Sequence, residues 1–495
     1  MINISNEKIR DIINFWNNIH FHPTDAIEDE WGQEFLKEIS KDNVAKTVRL
    51  YAMFEDIYSL DENGNLIENY KDNDTRLDFL LKEGFNPLVC YAYMPKFLAT
   101  DASLTQTNSN KKLRYKGKVI ITSEPKDYDV WEDLCYRYTK HIVDRYGEKE
   151  VSKWRLQCWN EPDLHNFFFS NLDMSDESVS IREKAYFKLY KKFASGVLRV
   201  SNDLLIGGPS QGADWNFNFI NDFLRDVKEN DIRIDFISIH IYGVFPPKVE
   251  SGEEPLSFNN NIRKYNNVIN EIYKYYTDKE IIMDEWGAAG WGFVNAKQSP
   301  TLIFRENSVF PTYFAKMVTR FVNMNANLSK MLLCLSGQHE LTNEFTGFRG
   351  LFTLNHIKKP IYNGFVLMSK LKNELLKSNV DNEYVDVLAT KEKDNYAVLV
   401  SYSPENFDKN LEDLNDEISL DDVTGTYNVN VYVIDEKHTN PYLSSLEKDL
   451  SIDELKEIGN MKPVFTKTVT CNSEYKLPIS LTNNGVLLLE MVKVK

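Results

Sequence analysis

The sequence contains few cysteines, and their positions exclude two kinds of structural cross-link. Its 495 residues include five: Cys90, Cys135, Cys158, Cys334 and Cys471. The number is odd, the positions are far apart, and no Cys-x-x-Cys pair occurs. Disulfide frameworks of small secreted proteins and zinc sites both need paired or closely spaced cysteines. The sequence therefore predicts reduced thiols, which are typical of a cytoplasmic protein.

Positive charge is also in deficit, and long apolar runs are missing. There are 58 Lys and Arg against 74 Asp and Glu, a formal net charge of −16. Phosphate backbones and anionic lipids attract Lys and Arg, so we expect neither nucleic acid nor a membrane as partner. No run of about 18 apolar residues is present, which excludes a membrane-spanning helix. The first twenty residues carry early charges and no small-residue cleavage site after an apolar core, so we expect no signal peptide.

Short apolar runs alternate with segments of helical periodicity from about residue 15 to 375. One such run is "KTVRLYAMF" at 46–54, and an apolar–polar helical segment follows it. Counting a first strand near 15–22, there are eight runs, and the last helix lies near 361–377. Eight apolar strands, most of them separated by helices, indicate a parallel sheet closed into a (β/α)8 TIM barrel.

The periodicity changes beyond residue 375. Segments such as "YVDVLATKEKDNYAVLVSYSP" and "NNGVLLLEMVKV" alternate apolar and polar residues around turn signals such as Asn484-Gly485. This alternation predicts an accessory antiparallel β-sandwich domain at the C-terminus. We therefore divide this α/β chain into a barrel at 1–375 and a sandwich at 376–495.

Two of the predicted barrel strands end in acidic residues. The fourth ends in Asn160-Glu161, where Pro162 removes a backbone donor and stops the strand. The seventh, "KEIIMDEWG", places Glu285 shortly before Gly287. The carboxyl ends of barrel strands meet at one rim, so both side chains should face one cleft. Two carboxyl groups, one protonated and one ionised, are what cleavage of a glycosidic bond requires.

Six segments around these residues occur in a characteristic order. They are "VRLYAMFEDIY", "FNPLVCYAYMPKFLA", "WNEPDLHNFF", "LLIGGPS", "IDFISIHIYG" and "GLFTLNHIKKPIYNGF". The ordered set resembles glycoside hydrolase family 39, the family of β-xylosidases and α-L-iduronidases, from about residue 15 to 375. Asn-Glu-Pro alone would mark only the wider clan of retaining (β/α)8 glycosidases.

The resemblance implies a retaining mechanism and a role for each of five residues. It makes Glu161 the acid/base and Glu285 the nucleophile of a double displacement. Asn160 would bind the 2-hydroxyl group of the sugar. Arg49 matches an arginine that lies beside the nucleophile, where a cation favours the ionised carboxylate. Tyr242 matches a tyrosine whose hydroxyl group orients the nucleophile.

Other strand-end residues are further candidates for substrate binding. His240 points the same way as the tyrosine two residues later, and would bind substrate or a neighbouring side chain. His20 and His22 share a strand face, as a sugar-binding or a merely buried pair. No third ligand stands at a compatible spacing, so we expect no metal and no cofactor. Aromatic residues that offer flat faces to a sugar are Tyr51, Phe54, Tyr93, Trp159, Phe168, Trp215, Trp286 and Trp291.

The identity of the sugar is the most open point. The xylosidases have a histidine at the position of Tyr51, and a tryptophan in the eighth strand, where this chain has Cys334. The Gly-Trp that ends at Trp291 resembles the iduronidases instead. A uronic acid would need a cation for its carboxylate, for which Arg349 is the first candidate and Lys248 a weaker one.

Three hypotheses follow. The leading one is an exo-acting retaining glycosidase that removes a terminal sugar from plant-type oligosaccharides, most specifically a β-xylosidase. An α-L-iduronidase-like or α-L-arabinosidase activity on the same residues is the first alternative. A catalytically silent sugar-binding protein is the second. Because relatives often form multimers, a homo-oligomer is a further expectation.

Overall fold

The structure, a computed structural model, describes residues 1–21, 27–106, 120–212, 215–292, 294–335 and 342–494. The strands are β1 (Ile2–Asp11), β2 (Asn18–Phe21), β3 (Thr47–Met53), β4 (Tyr58–Leu60), β5 (Leu66–Glu68), β6 (Asn86–Ala92), β7 (Arg155–Cys158), β8 (Ile206–Gln211), β9 (Phe236–Val244), β10 (Glu280–Ala289), β11 (Lys330–Leu335), β12 (Glu374–Val380), β13 (Val385–Glu392), β14 (Asn395–Tyr402), β15 (Leu414–Asp421), β16 (Gly425–Ile434), β17 (Phe465–Cys471), β18 (Glu474–Leu481) and β19 (Gly485–Lys493).

The helices are α1 (Glu30–Lys41), α2 (Phe54–Ile57), α3 (Lys71–Lys82), α4 (Tyr128–Tyr146), α5 (Glu148–Val151), α6 (Asp176–Leu198), α7 (Phe217–Glu229), α8 (Pro246–Glu250), α9 (Phe258–Ile272), α10 (Val309–Asn323), α11 (Pro360–Ser369), α12 (Pro441–Glu447) and α13 (Ile452–Gly459), with a 3-10 helix at Pro300–Glu306. Within the described ranges, no helix combines the length and the apolar character that a membrane crossing requires.

Eight parallel strands close into the predicted barrel. Their order is β2-β3-β6-β7-β8-β9-β10-β11, and β11 pairs with β2 to complete the ring. Strand β3 is buried along its whole length and β9 along nearly all of it. Such strands are apolar on both faces because one face meets the barrel interior and the other meets the helices. All eight carboxyl ends therefore lie at the same rim.

The other large sheet has nine mostly antiparallel strands and lies against the barrel. In β14, Ala397 and Leu399 belong to the core that includes the barrel, whereas Val398 and Val400 belong to a second core. Alternate side chains of a strand point to opposite faces, so each face of the sheet has its own core. The second core takes side chains from β16 and from β18, which stand near opposite ends of the strand order. The sheet therefore curls over itself and forms the predicted sandwich.

The N-terminal strand corrects the predicted division of the chain. β1 pairs with β12 and with β15, so residues 2–11 belong to the accessory sheet and not to the barrel. The helix expected near 361–377 also ends earlier, at Ser369. Leu375 then packs in the barrel core and Leu376 in the sheet core, an alternation that only a strand provides.

A buried ion pair connects the two parts. Lys316 on α10 has its Nζ 2.9 Å from Asp386 Oδ2 on β13, and donates a second hydrogen bond to the Tyr384 carbonyl oxygen at 2.8 Å. The two charged side chains are only 2% and 8% exposed. Burial lowers the pKa of Lys316, and the Asp386 carboxylate opposes this shift. The charged form of Lys316 therefore depends on its partner.

We predict that Asp386→Asn lowers the free energy of unfolding by about 3 kcal/mol, because it leaves a buried ammonium group without its counter-charge. Urea unfolding followed by tryptophan fluorescence measures the change. Glu7→Gln is the control, since it removes the partner of Lys377 in an exposed pair with an N–O distance of 3.5 Å. Its effect should stay below about 1 kcal/mol. Equal effects of the two substitutions would contradict a structural role for the buried pair.

Candidate active site

The two predicted carboxyl groups meet in one cavity at the carboxyl rim of the barrel. Glu161 follows β7 and Glu285 lies in β10, and both line a cavity of about 570 Å³. One carboxylate oxygen of each, together with a ring nitrogen of His240, forms a group whose members all lie within 4.8 Å of one another. The barrel thus unites side chains that are remote in the sequence.

A β-bulge in β10 brings two consecutive carboxylates into the barrel interior. Neighbouring side chains of a regular strand point to opposite faces. Along β9, however, Met283 pairs with Ile239 and Glu285 with His240, so Asp284 is an extra residue in β10. Asp284 and Glu285 therefore both contact the same buried arginine, Arg49 of β3.

The same bulge corrects the prediction for Trp286. Regular alternation resumes after it and turns this side chain toward the helices, where it stacks on Phe314 with 5.2 Å between ring centroids. Trp286 is fully buried and we no longer assign it as a sugar contact. Phe54, Trp159 and Phe168 are likewise fully buried core residues.

Arg49 is the central cation of the site and has no exposed surface. Its three nitrogens approach five polar side chains at distances of 2.8 to 3.2 Å: Gln157, Asn160, Ser210, Asp284 and Glu285. A guanidinium group presents five N–H donors in a rigid plane, so one side chain can orient several partners at once. Arg49 thereby connects β3, β7, β8 and β10.

Hydrogen-bond donors surround the Glu285 carboxylate. Arg49 Nη1 donates to Oε1 at 2.9 Å, His20 Nδ1 lies 3.1 Å from the same oxygen, and the Tyr242 hydroxyl donates to Oε2 at 2.7 Å. Burial alone would raise the pKa of Glu285, but the charge of His240, the His20 contact and the Arg49 charge hold it well below its usual range. Glu285 is therefore ionised at neutral pH.

His20 supports this carboxylate as a neutral ring. Burial lowers the pKa of His20 to about 4. Its Nε2 lies 3.3 Å from Arg49 Nη1, which can only donate, so the ring proton must be on the Nδ1 that faces Glu285. His20 is thus a buried partner of the carboxylate, while His22 lies outside the described residues.

Glu161 holds its proton more strongly than Glu285 does. Its Oε1 lies 2.8 Å from His240 Nδ1, and the residue is 8% exposed. Burial raises the pKa of Glu161; the His240 hydrogen bond and charge oppose this, and the Glu285 charge adds to it. The net direction is upward. Glu161 therefore keeps a proton at a pH where Glu285 has lost its own.

The backbone around Glu161 has an unusual local geometry. Its φ of 47° lies in the left-handed region, which a residue with a side chain seldom adopts. The N–H of Glu161 donates to the Ser210 carbonyl at 3.0 Å, and the N–H of Gly212 donates to Asp163 Oδ1 at 2.8 Å. A Cβ atom on Gly212 would lie 2.7 Å from Glu161 Oε1. The strand itself ends earlier than expected, at Cys158, and these contacts hold the carboxyl group over the cavity.

His240 links Glu161 to Asp284 through hydrogen bonds. Its Nε2 lies 2.8 Å from the Ser210 hydroxyl, which in turn donates to Asp284 Oδ2 at 2.7 Å. Burial lowers the pKa of His240, but the charges of Glu285 and Asp284 outweigh it and raise the pKa to about 10. A protonated ring donates from both nitrogens, which satisfies Glu161 and Ser210 together.

Three members of this network are not singled out by the sequence patterns above. They are Gln157, Ser210 and Asp284. Gln157 Nε2 donates to Asp284 Oδ2 at 2.8 Å and to Ser238 Oγ at 2.7 Å. Each is a polar residue at a fully buried position of a barrel strand, and a polar group can be buried there only with a partner. That pattern is the signal by which they are recognisable.

The other predicted contacts divide between the cavity and the layer behind it. Asn160, Tyr242, Trp291 and Arg349 line the cavity. Tyr51 is 3% exposed and accepts a hydrogen bond from Arg49 at 3.3 Å, so it lies behind the carboxylates and supports the arginine.

Arg349 brings a second cation to the Glu285 side of the cavity. Its Nη1 donates to the Tyr242 hydroxyl at 2.9 Å and contacts Cys334 Sγ at 3.2 Å. The guanidinium group also lies over the Tyr242 ring, 4.4 Å from its centroid. Arg349 therefore stands where a substituent of a bound sugar can meet it.

Two carboxyl groups of opposite proton affinity at the rim of a (β/α)8 barrel define a class of enzyme, the glycoside hydrolases, because this pair performs the hydrolysis of a glycosidic bond. The comparison with known families agrees with this chemistry. The chain belongs to glycosyl hydrolases family 39, whose sequence model matches residues 1–454.

Several proteins that are similar to this chain are named as beta-xylosidases. The chain is 24% identical over 443 residues to a beta-xylosidase of Caldicellulosiruptor saccharolyticus, covering 85% of this chain and 81% of that protein. It is 33% identical over 176 residues to a beta-xylosidase of Geobacillus stearothermophilus, covering 35% and 30%. The crystal structure of a monomeric beta-xylosidase from Caulobacter crescentus CB15 matches with a TM-score of 0.81 at 19% identity, covering 100% of this chain and 99% of that one. This last likeness shows the shared fold.

We predict that His240→Gln moves the pH profile of kcat/KM to higher pH on both limbs. The His240 cation favours the ionised form of Glu285 and of Glu161. Its loss raises both pKa values, so Glu285 ionises at higher pH on the acid limb and Glu161 keeps its proton to higher pH on the alkaline limb.

Initial rates across pH, with matched buffers, measure both limbs. His141→Gln is the control, because this histidine contacts Asp74 on the outer helices at 2.7 Å. Its profile should coincide with that of the wild type. If kcat/KM fell but neither limb of its pH profile moved, His240 would have only a structural role.

Proposed function

We propose that the protein is a retaining exo-glycosidase that removes a terminal sugar from oligosaccharides, with β-xylosidase as its specific activity. The observation that carries the proposal is the carboxylate pair: oxygens of Glu161 and Glu285 lie within 4.8 Å, and their pKa values shift in opposite directions. Retaining enzymes have carboxyl groups about 5 Å apart, whereas inverting enzymes need about 6.5–9.5 Å to admit a water molecule. The short separation supports double displacement. The named relatives support xylose as the sugar.

In the first step, an oxygen of Glu285 attacks the anomeric carbon and the glycosidic bond breaks. Glu161 gives its proton to the departing oxygen, and a glycosyl ester remains on Glu285. Arg49 and Tyr242 hold the attacking carboxylate in place. Asn160 accepts from Arg49 through Oδ1 at 2.8 Å, which orients its amide N–H group for the 2-hydroxyl of the sugar.

In the second step, the Glu161 carboxylate takes a proton from water while the water oxygen attacks the anomeric carbon. The ester bond breaks, Glu285 leaves as a carboxylate, and the sugar keeps its original configuration. His240 donates to Glu161 at 2.8 Å and stabilises the ionised form that this step requires.

We predict that Glu285→Gln lowers kcat on an aryl xyloside at least about 10⁴-fold, because no carboxylate remains to attack the sugar. A panel of aryl β-xylosides, α-L-arabinosides and α-L-iduronides identifies the sugar that the wild type releases. Glu34→Gln, on the exposed face of α1, is the matched control and should retain full activity.

A 2-fluoro glycoside of the released sugar then tests the covalent step. Mass spectrometry of a peptic digest should find one sugar attached to Glu285. Turnover that survives Glu285→Gln would remove this residue from the mechanism, and a wild type inactive on every glycoside would favour the silent sugar-binding protein instead.

An α-L-iduronidase-like activity is the second candidate, and the position of Arg349 favours it. This cation contacts Tyr242, which itself donates to Glu285, so a carboxylate on the bound sugar can pair with it. We predict that Arg349→Ala lowers kcat/KM about 100-fold or more on an iduronide, but less than about tenfold on a xyloside. Steady-state rates on both substrates separate the two cases. Similar losses on both would restrict Arg349 to the support of Tyr242.

We also propose a cellular compartment for the activity. All five cysteines are free thiols in the structure, which supports a reducing compartment such as the cytoplasm. Homo-oligomer formation stays a prediction.

A further inference from the structure

We propose that Trp215 forms a binding site for a second, neutral sugar ring, the one that departs as leaving group. The inference rests on the proposed glycosidase function and deepens it. On this inference, the cavity is suited to an oligosaccharide and not to a glycoside with a small aglycone.

The cavity has two ends with different contacts. At one end, Tyr242 contacts Glu285 directly, and Cys334 Sγ lies within 4.8 Å of a Glu285 carboxylate oxygen. At the other end, Gly212 is so close to Glu161 that a Cβ atom would lie 2.7 Å from its Oε1. The sugar that is attacked belongs at the Glu285 end.

The leaving group belongs at the Glu161 end. Its oxygen must come within hydrogen-bonding distance of the Glu161 carboxyl group in order to receive the proton. The ring attached to that oxygen therefore extends toward the side of the cavity where Gly212 lies. Trp215, which follows Gly212 closely in the chain, lines the cavity together with Leu164, which follows Glu161 closely.

Exposure distinguishes two aromatic residues of the cavity. All eight tryptophans of the chain are described, and Trp215, at 62%, is the most exposed of them. Phe245 is 46% exposed. Both nevertheless line the same cavity as the carboxyl groups. Flat apolar faces beside a polar site, left open to water, are suited to the C–H face of a sugar ring.

The charges near Trp215 indicate that this ring is neutral. Lys248 Nζ lies 3.2 Å from a Glu253 carboxylate oxygen and 3.9 Å from one of Glu254. Arg263 pairs with Glu254 at 3.0 Å, and Lys264 donates to a backbone carbonyl at 3.0 Å. Two of these three cations are thus paired with carboxylates, and the third is held by a carbonyl oxygen. A charged ring would have to compete with these pairs, whereas a neutral ring only needs the aromatic faces.

Two substrates with the same glycone test the proposal. One is the disaccharide of the sugar that the wild type releases, and the other is the corresponding glycosyl fluoride, whose leaving group has no ring. Trp215→Ala should lower kcat/KM on the disaccharide about tenfold, the loss expected for an aromatic contact, and change the rate on the fluoride less than twofold. Trp215→Phe keeps a flat face and should recover most of the disaccharide rate.

The control is Phe465→Ala, which removes a 39% exposed aromatic residue of the accessory sheet and should change neither rate. Equal losses of Trp215→Ala on the disaccharide and the fluoride would overturn the inference, and so would an unchanged disaccharide rate. Either result would leave the glycosidase function intact. A wild type that cleaves neither substrate would overturn the proposed function, and the inference with it.

A second measurement does not depend on cleavage of a disaccharide. The fluorinated glycosyl ester on Glu285 should be released faster when free monosaccharide is added, because a sugar bound at Trp215 presents a hydroxyl group to the anomeric carbon. That oxygen attacks, Glu161 takes its proton, the ester bond breaks and a glycosidic bond forms. The acceptor concentration for half-maximal release should rise about tenfold in Trp215→Ala. Release that is independent of added sugar in the wild type would contradict the site.

Discussion

The buried guanidinium group of Arg49 is the interaction on which the site depends. A charge without exposed surface is stable only when it is paired and fully hydrogen-bonded, and the carboxylates of Asp284 and Glu285 provide the pairing. The dependence is mutual, because two adjacent carboxylates in a barrel interior need a cation in order to stay ionised together. Four strands besides that of Arg49 contribute its partners, so the site assembles only when the barrel closes.

Departures from regular geometry place the reactive groups. A regular β10 would direct only one of Asp284 and Glu285 inward, and the bulge directs both. The left-handed backbone of Glu161 and the close approach of Gly212 hold the other carboxyl group at the rim. Such geometry is costly for a residue with a side chain and persists where the surroundings enforce it. Here the surroundings are hydrogen bonds from neighbouring strand ends.

Proton transfer and ligand binding take place in different parts of the cavity. Its base is polar, tightly hydrogen-bonded and almost fully buried. There Arg49 and His20 keep Glu285 ionised, whereas burial and the Glu285 charge favour the protonated form of Glu161. Its mouth has exposed aromatic faces, and the cations around Trp215 already have partners within the wall, which suits a neutral ligand. A net charge of −16 over the whole protein is compatible with such a ligand and would oppose an anionic polymer.

Local patterns in the sequence determined the eight strands, the accessory sandwich and the rim position of Glu161 and Glu285, because burial periodicity and strand-stopping residues act over a few neighbours. Only the tertiary structure decided that Trp286 faces the helices, that residues 2–11 join the accessory sheet, and that Gln157 belongs to the network. The proton affinities of the two glutamates were also decided there. A strand's register, a bulge and a pKa depend on groups brought together from distant parts of the chain, and no local pattern contains that information.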